Sequence, residues 1–181
     1  RELLSTLERV DVSNCLLERG FARCFADPIT PSILKEVILD GTTQDDEACV
    51  NISQGCPLLE RLSLCGCGDV TDRGVLTLLS CCARLADLRV SETAVTGVCF
   101  TDQSAPSQPD VAVVVRRPSL TSLDVGNCPL HEHAMRWLSA AFPSLRRVRV
   151  CGSRVDDEGL LPLSASQCPQ QLEALDLSGC A

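Results

Sequence analysis

Apolar residues recur along this chain in a short pattern: one apolar position, two others, then two apolar positions separated by a single residue. This LxxLxL pattern, with Val admitted at its later places, starts at Leu7, Leu34, Leu59, Leu85, Leu120, Leu145 and Leu172. The starts are 27, 25, 26, 35, 25 and 27 residues apart. Self-similarity at such a period predicts a solenoid, in which each unit buries its apolar side against the next. Each pattern predicts a short strand, with positions three and five on the face turned away from the core.

A helix is predicted after the strands. In Cys56 to Cys82, "CPLLERLSLCGCGDVTDRGVLTLLSCC", Thr71 or Asp72 can cap it and Gly74 sits in its first turn. Val75, Leu78, Leu79 and Cys82 then recur on one side. Asp156, Asp157, Gly159, Leu160 and Leu163 repeat the arrangement. The dipeptides Cys56-Pro57, Phe142-Pro143 and Cys168-Pro169 suit the helix ends, where the chain turns into the next strand. The ninth position of the units reads Cys15, Thr42, Cys67, Thr93, Cys128, Ser153 and Cys180. Each is a small side chain able to hydrogen-bond a backbone group in the turn after the strand, which accounts for much of the cysteine.

The pattern CPxLxxLxLxxCxxVTDxGV resembles the cysteine-containing leucine-rich repeats of F-box proteins and ribonuclease-inhibitor-like horseshoes. The resemblance implies an α/β leucine-rich repeat solenoid of about seven repeats, a curved horseshoe segment with parallel strands on the concave face and helices on the convex face. Residues 1–181 are expected to form a single domain of a longer array, with 98–118 an irregular fourth repeat carrying an inserted loop. The chain opens on Arg1 and its last repeat stops at the ninth position. Flanking repeats, or a partner covering the ends, are therefore expected.

Charge and composition narrow the function classes. A net charge of -8 and a pI near 4.7 disfavour nucleic acid or an anionic membrane as partner, since either needs a concentrated positive surface. The longest apolar run, Val111 to Val115, is far short of the roughly 20 residues that span a bilayer. No Ser-His-Asp spacing, HExxH, phosphate loop or dinucleotide fingerprint occurs, so neither an enzyme nor a cofactor is expected. Thirteen cysteines invite a metal or disulfide reading. Cys65, Cys67, Cys81 and Cys82 lack the two-residue gaps of zinc ribbons and would not converge within the repeat. Ninth-position cysteines alternate with Thr or Ser, so the nearest pair is roughly 10 Å apart, beyond bonding reach. Only Cys56 and Cys82 are stacked neighbours in one column. Reduced cysteines in an intracellular compartment, cytoplasmic or nuclear, are expected. The sequon Asn51-Ile52-Ser53 is expected on an outward helix face. His131 and His133 align with Thr71 and Arg73, a capping and a solvent-facing helix position.

Binding candidates come from two places. Position three runs Arg9, Glu36, Arg61, Asp87, Ser122, Arg147, Ala174, and position five runs Asp11, Ile38, Ser63, Arg89, Asp124, Arg149, Asp176. Stacked strands put these side by side, either as cross-strand ion pairs or as a mosaic that orients a partner. Arg61, Asp87, Arg89, Asp124, Arg147 and Arg149 are the candidate concave-face contacts. The second place is the insert with the convex side, represented by Thr101, Asp102, Asp110, Val113 and Trp137. Val111 to Val115 is expected to fold over Trp137. Other proteins are the expected partners, with no small-molecule substrate and a multi-subunit complex as one setting. The resemblance points to the substrate-recognition repeats of an F-box-type ubiquitin-ligase receptor, although no F-box helices occur in this chain. The alternative is a structural subunit of a large intracellular assembly, cytoskeletal or ribonucleoprotein.

Overall fold

A computed structural model describes residues 6–26, 32–100, 120–156 and 171–180, with no side-chain description at 137, 139 and 140. Seven three-residue strands lie in chain order in one sheet: β1 (Arg9–Asp11), β2 (Glu36–Ile38), β3 (Arg61–Ser63), β4 (Asp87–Arg89), β5 (Ser122–Asp124), β6 (Arg147–Arg149) and β7 (Ala174–Asp176). Every pairing is parallel, and the register is that of the repeat, for example Arg61↔Asp87 and Arg147↔Ala174. Among the described residues three α-helices run between strands: α1 (Asp46–Gly55), α2 (Asp72–Cys81) and α3 (Ala134–Ala141). Shorter 3-10 turns at Phe21–Cys24 and Val98–Phe100 stand where repeats one and four have no described α-helix. The fold is α/β, with an all-parallel, consecutively ordered sheet. Among the described residues no helix is long and apolar enough to cross a membrane.

The apolar periodicity sets the core. Leu34, Leu59, Leu85, Leu120 and Leu145 at position one are fully buried, as are Leu39, Leu64, Val90, Val125 and Val150 at position six. Position four, from Val37 to Val148, joins them in one hydrophobic cluster. Burying one such side chain contributes about 1.5–3 kcal/mol, and a one-residue slip would turn the whole set outward. That fixes the register. The 35-residue fourth step leaves it intact, because β4 and β5 pair directly across the insert.

Each strand leads into a turn with one shared feature. Position eight of all seven repeats has positive φ: Asn14, Gly41, Gly66, Glu92, Asn127, Gly152 and Gly179. This left-handed conformation suits Gly and Asn, which fill six of the seven places. Its use is to aim the N–H at the next repeat: Gly41 N–H donates to the Cys65 carbonyl at 2.7 Å and Gly66 N–H to the Ser91 carbonyl at 2.8 Å. The ladder thus continues past the strands.

The ninth position closes the turn as expected, and in pairs. Thr42 Oγ1 donates to the Leu39 carbonyl at 2.6 Å, and Cys67 Sγ of the next repeat donates to that same oxygen at 3.3 Å. Thr93 and Cys128 share the Val90 carbonyl in the same way, at 2.6 and 3.1 Å. The alternation of hydroxyl and thiol is therefore a two-repeat unit, one acceptor serving two donors.

Helix starts are tied across repeats by aspartates. Asp45 caps α1, accepting from Glu47 N–H and Ala48 N–H, and Thr71 caps α2, accepting from Arg73 N–H. The next residue faces the following repeat. Asp46 accepts from Thr71 N–H at 2.8 Å, Thr71 Oγ1 at 2.7 Å and Gly74 N–H at 3.1 Å. Asp72 accepts from Thr96 N–H at 2.9 Å, Thr96 Oγ1 at 2.6 Å, Gly97 N–H at 3.0 Å and Cys99 N–H at 3.1 Å. In repeat four Gly97 takes the place of that aspartate, and the tie stops. The following helix starts late: α3 begins at Ala134, and its N-cap His133 makes no side-chain cap bond. The expectation of His133 within the helix is corrected accordingly. His131 keeps the expected capping geometry in part, its Nδ1 accepting from His133 N–H at 3.2 Å. Helix ends match the sequence reading, with Cys56, Cys82 and Phe142 each closing α1, α2 and α3 through an N–H bond to the carbonyl four residues back.

Candidate functional site

Positions three and five of the seven strands form two rows on the sheet face away from the core, where the side chains are mostly exposed or half-buried. The charged members are largely engaged with one another. Glu36 bridges Arg9 at 3.6 Å and Arg61 at 3.1 Å, and Arg9 also meets Asp11 at 3.3 Å. Arg89 pairs with Asp87 of its own strand at 3.3 Å. Arg149 bridges Asp124 at 3.7 Å and Asp176 at 3.1 Å. The Glu36 hydrogen bond and charge hold the Arg61 guanidinium above its ordinary pKa, and Asp87 does the same for Arg89. The arginines are more than half exposed, so each pair contributes at most about 1 kcal/mol. Their effect is positional: they fix most of the face in one polar arrangement.

Two features of this face stay uncommitted. Glu36, Ile38, Arg61, Ser63, Asp87 and Arg89 border a shallow depression over β2 to β4. There Asp87 Oδ1 is buried and accepts no hydrogen bond among the described residues. Two strands further on, Arg147 is exposed and enters no ion pair among the described residues. The six candidates named from the sequence thus fall on one face, but as two groups: Arg61, Asp87 and Arg89 around the depression, and Asp124, Arg147 and Arg149 beside it.

Of the second group of candidates, Thr101, Asp102, Asp110 and Val113 lie outside the described residues, as does all of Val111 to Val115. Trp137 falls within α3, but its side chain is outside them too. The expected cover over Trp137 therefore has no described counterpart.

The twelve described cysteines are free. Cys67 is held by the ninth-position bonding and Cys82 ends α2, while Cys81 is exposed. Burial pushes the Cys56 thiol up to about 11 and the Cys82 thiol up to about 12, and raises Cys49 and Cys99 as well. Thiolate is the reactive form. Brief alkylation of the folded chain with iodoacetamide at pH 8 is therefore expected to label exposed Cys15 and Cys81 first. Cys49, Cys56, Cys82 and Cys99 should react at least tenfold more slowly, as read by peptide mass spectrometry. Equal labelling of Cys56 and Cys81 would contradict this burial.

His131, Glu132 and His133 bring three ligand-type atoms within 4.8 Å of one another. All three residues are exposed, the His131 Nδ1 lone pair already serves the His133 amide, and the group sits at the positive end of α3. Those features oppose a cation. Of the sequon, Asn51 is half-buried on α1, whereas Ser53 is buried and its hydroxyl donates to the Val50 carbonyl at 2.8 Å, so the motif meets the outward expectation only in part. The position-eight column and the aspartate ties were missed from the sequence. The first was visible there as N, G, G, E, N, G, G at a fixed offset, and the second as the Asp45-Asp46 and Thr71-Asp72 pairs at the starts of α1 and α2. Comparison with protein-family models and with curated proteins gave no match.

Proposed function

We propose that this chain is a leucine-rich repeat solenoid that binds other proteins through the face carrying positions three and five. The observation that carries this reading is the depression over β2 to β4, where a polar face otherwise fixed by its own ion pairs keeps a buried acceptor, Asp87 Oδ1, without a donor. Leaving such a group unfilled costs free energy, and a partner that rearranges the depression so that its donor reaches the buried oxygen would recover it. The repeat spacing and the bonded ninth position support the family part of the reading. The same resemblance favours a receptor like the substrate-recognition half of an F-box ubiquitin ligase, working inside the cell.

Native affinity purification of the tagged chain, quantified by mass spectrometry, tests it. The double variant Arg61→Ala/Arg89→Ala is expected to lose most of the proteins recovered with the unaltered chain, whereas Arg84→Ala, an exposed change beyond α2, is expected to keep them. Equal recovery by all three would sink the assignment to this face. Cullin-type subunits with variable companions would mark a substrate receptor, and one fixed stoichiometric set would mark a structural subunit.

A further inference from the structure

The strand register lines up Asp87, Ser122, Arg147 and Ala174 on neighbouring strands of one row. Arg147 is the charged member of the two rows that no carboxylate reaches among the described residues, and the reason is local. Its row neighbours are Ser122 and Ala174, and two residues along its own strand lies another cation, Arg149. Arg149 takes both nearby position-five carboxylates, Asp124 and Asp176, while Glu173 is taken by Arg146 at 3.1 Å. Two arginines thus take all three carboxylates, and Arg147 is left over. Small neighbours on both sides leave its guanidinium fork open for two-point bonding, the geometry that suits a carboxylate. Ser122, its register partner on the neighbouring strand about 4.8 Å away, adds a hydroxyl to the same row.

We infer that Arg147 is the anchor for a single acidic side chain, Asp or Glu, carried by an extended segment of a partner protein. This rests on the reading of the same face as a protein-binding surface and gives it a polarity. Arg147 stands two strands, roughly 10 Å, from Asp87 at the edge of the depression. About three extended residues cover that distance, so one segment can seat its acid on Arg147 and a donor beside Asp87. The chain's charge of -8 opposes a strongly acidic partner, while screening over about 8–10 Å lets one well-placed acid succeed. The fitting segment is therefore near-neutral or basic overall, with one acid and one donor.

The test is selection of a phage-displayed random decapeptide library on the purified full chain, on Arg147→Glu and on Arg61→Ala/Arg89→Ala. Arg147 has no described partner to lose, so its variants are expected to fold like the unaltered chain, checked by circular dichroism. Peptides from the unaltered chain should be enriched in Asp or Glu at one position and in Lys or Arg about three residues away. Selection on Arg147→Glu should exchange that acid for Lys or Arg, and an individual peptide should lose about tenfold or more in affinity. Unchanged preferences on Arg147→Glu, with binding lost on the double variant, would overturn the anchor while leaving the binding face in place. Enrichment on none of the three would overturn both.

Discussion

Asp72→Ala is expected to lower stability by about 3 kcal/mol, the loss of four donors held by one carboxylate across two repeats. Oδ2 accepts both the amide and the hydroxyl of Thr96, and Oδ1 accepts the amides of Gly97 and Cys99. The alanine methyl leaves all four facing a gap. Asn is no rescue, since either orientation of its amide turns an NH2 toward backbone N–H donors. At about 2–4 °C per kcal/mol for a chain of this size, the melting temperature should fall by roughly 6–12 °C. Asp46→Ala gives up three such bonds and should follow closely. A shift below 2 °C for Asp72→Ala would show that the tie contributes little.

The same carboxylate carries a pH signature. Burial raises the Asp72 pKa, but the Thr96 and Cys99 hydrogen bonds outweigh it and bring the folded value below 3.8. A depressed folded value means a stabilising contribution that is complete above the unfolded pKa and disappears as pH falls through the folded one. The gap in stability between the unaltered chain and Asp72→Ala should therefore hold from neutral pH down to about 4 and narrow below it. Urea titrations at pH 7, 4 and 3 measure this, and a gap independent of pH would contradict the assignment.

Gly55→Ala is expected to cost about 2–3 kcal/mol, against the direction that helix propensity alone gives. Gly55 is the last residue of α1, and within a helix Ala is favoured over Gly by up to about 1 kcal/mol. A Cβ there would overlap the carbonyl oxygen of Phe25 and stand 3.1 Å from Ala26 N. Those atoms cannot step aside cheaply. Phe25 is 2% exposed and its N–H is bonded to the Ala22 carbonyl at the end of the 3-10 turn Phe21–Cys24. The added methyl must push repeat one away from α1. A higher urea midpoint for Gly55→Ala than for the unaltered chain would overturn the argument.

Gly55 also separates what sequence can and cannot decide here. Period and alternation determined which residues form strands, which of their side chains enter the core and how strands align, because a slip by one residue exposes the whole apolar set. They also placed the cap of α2, the helix-ending Cys56, Cys82 and Phe142, and the hydrogen-bonding role of the ninth position. Tertiary structure alone decided what one repeat does to the next. Asp46 and Asp72 read as helix-start residues, yet their acceptors are filled from the following repeat, about 25 residues on. Gly97 stands where the earlier repeats carry Asp46 and Asp72, and its lack of a carboxylate accompanies the late start of α3. The two charged rows read as regular alternation, whereas the reach of Arg149 to two carboxylates leaves Arg147 over. The physical reason is common to all of these: periodicity specifies the direction of a side chain, whereas hydrogen bonds and ion pairs depend on distances between elements a whole repeat apart.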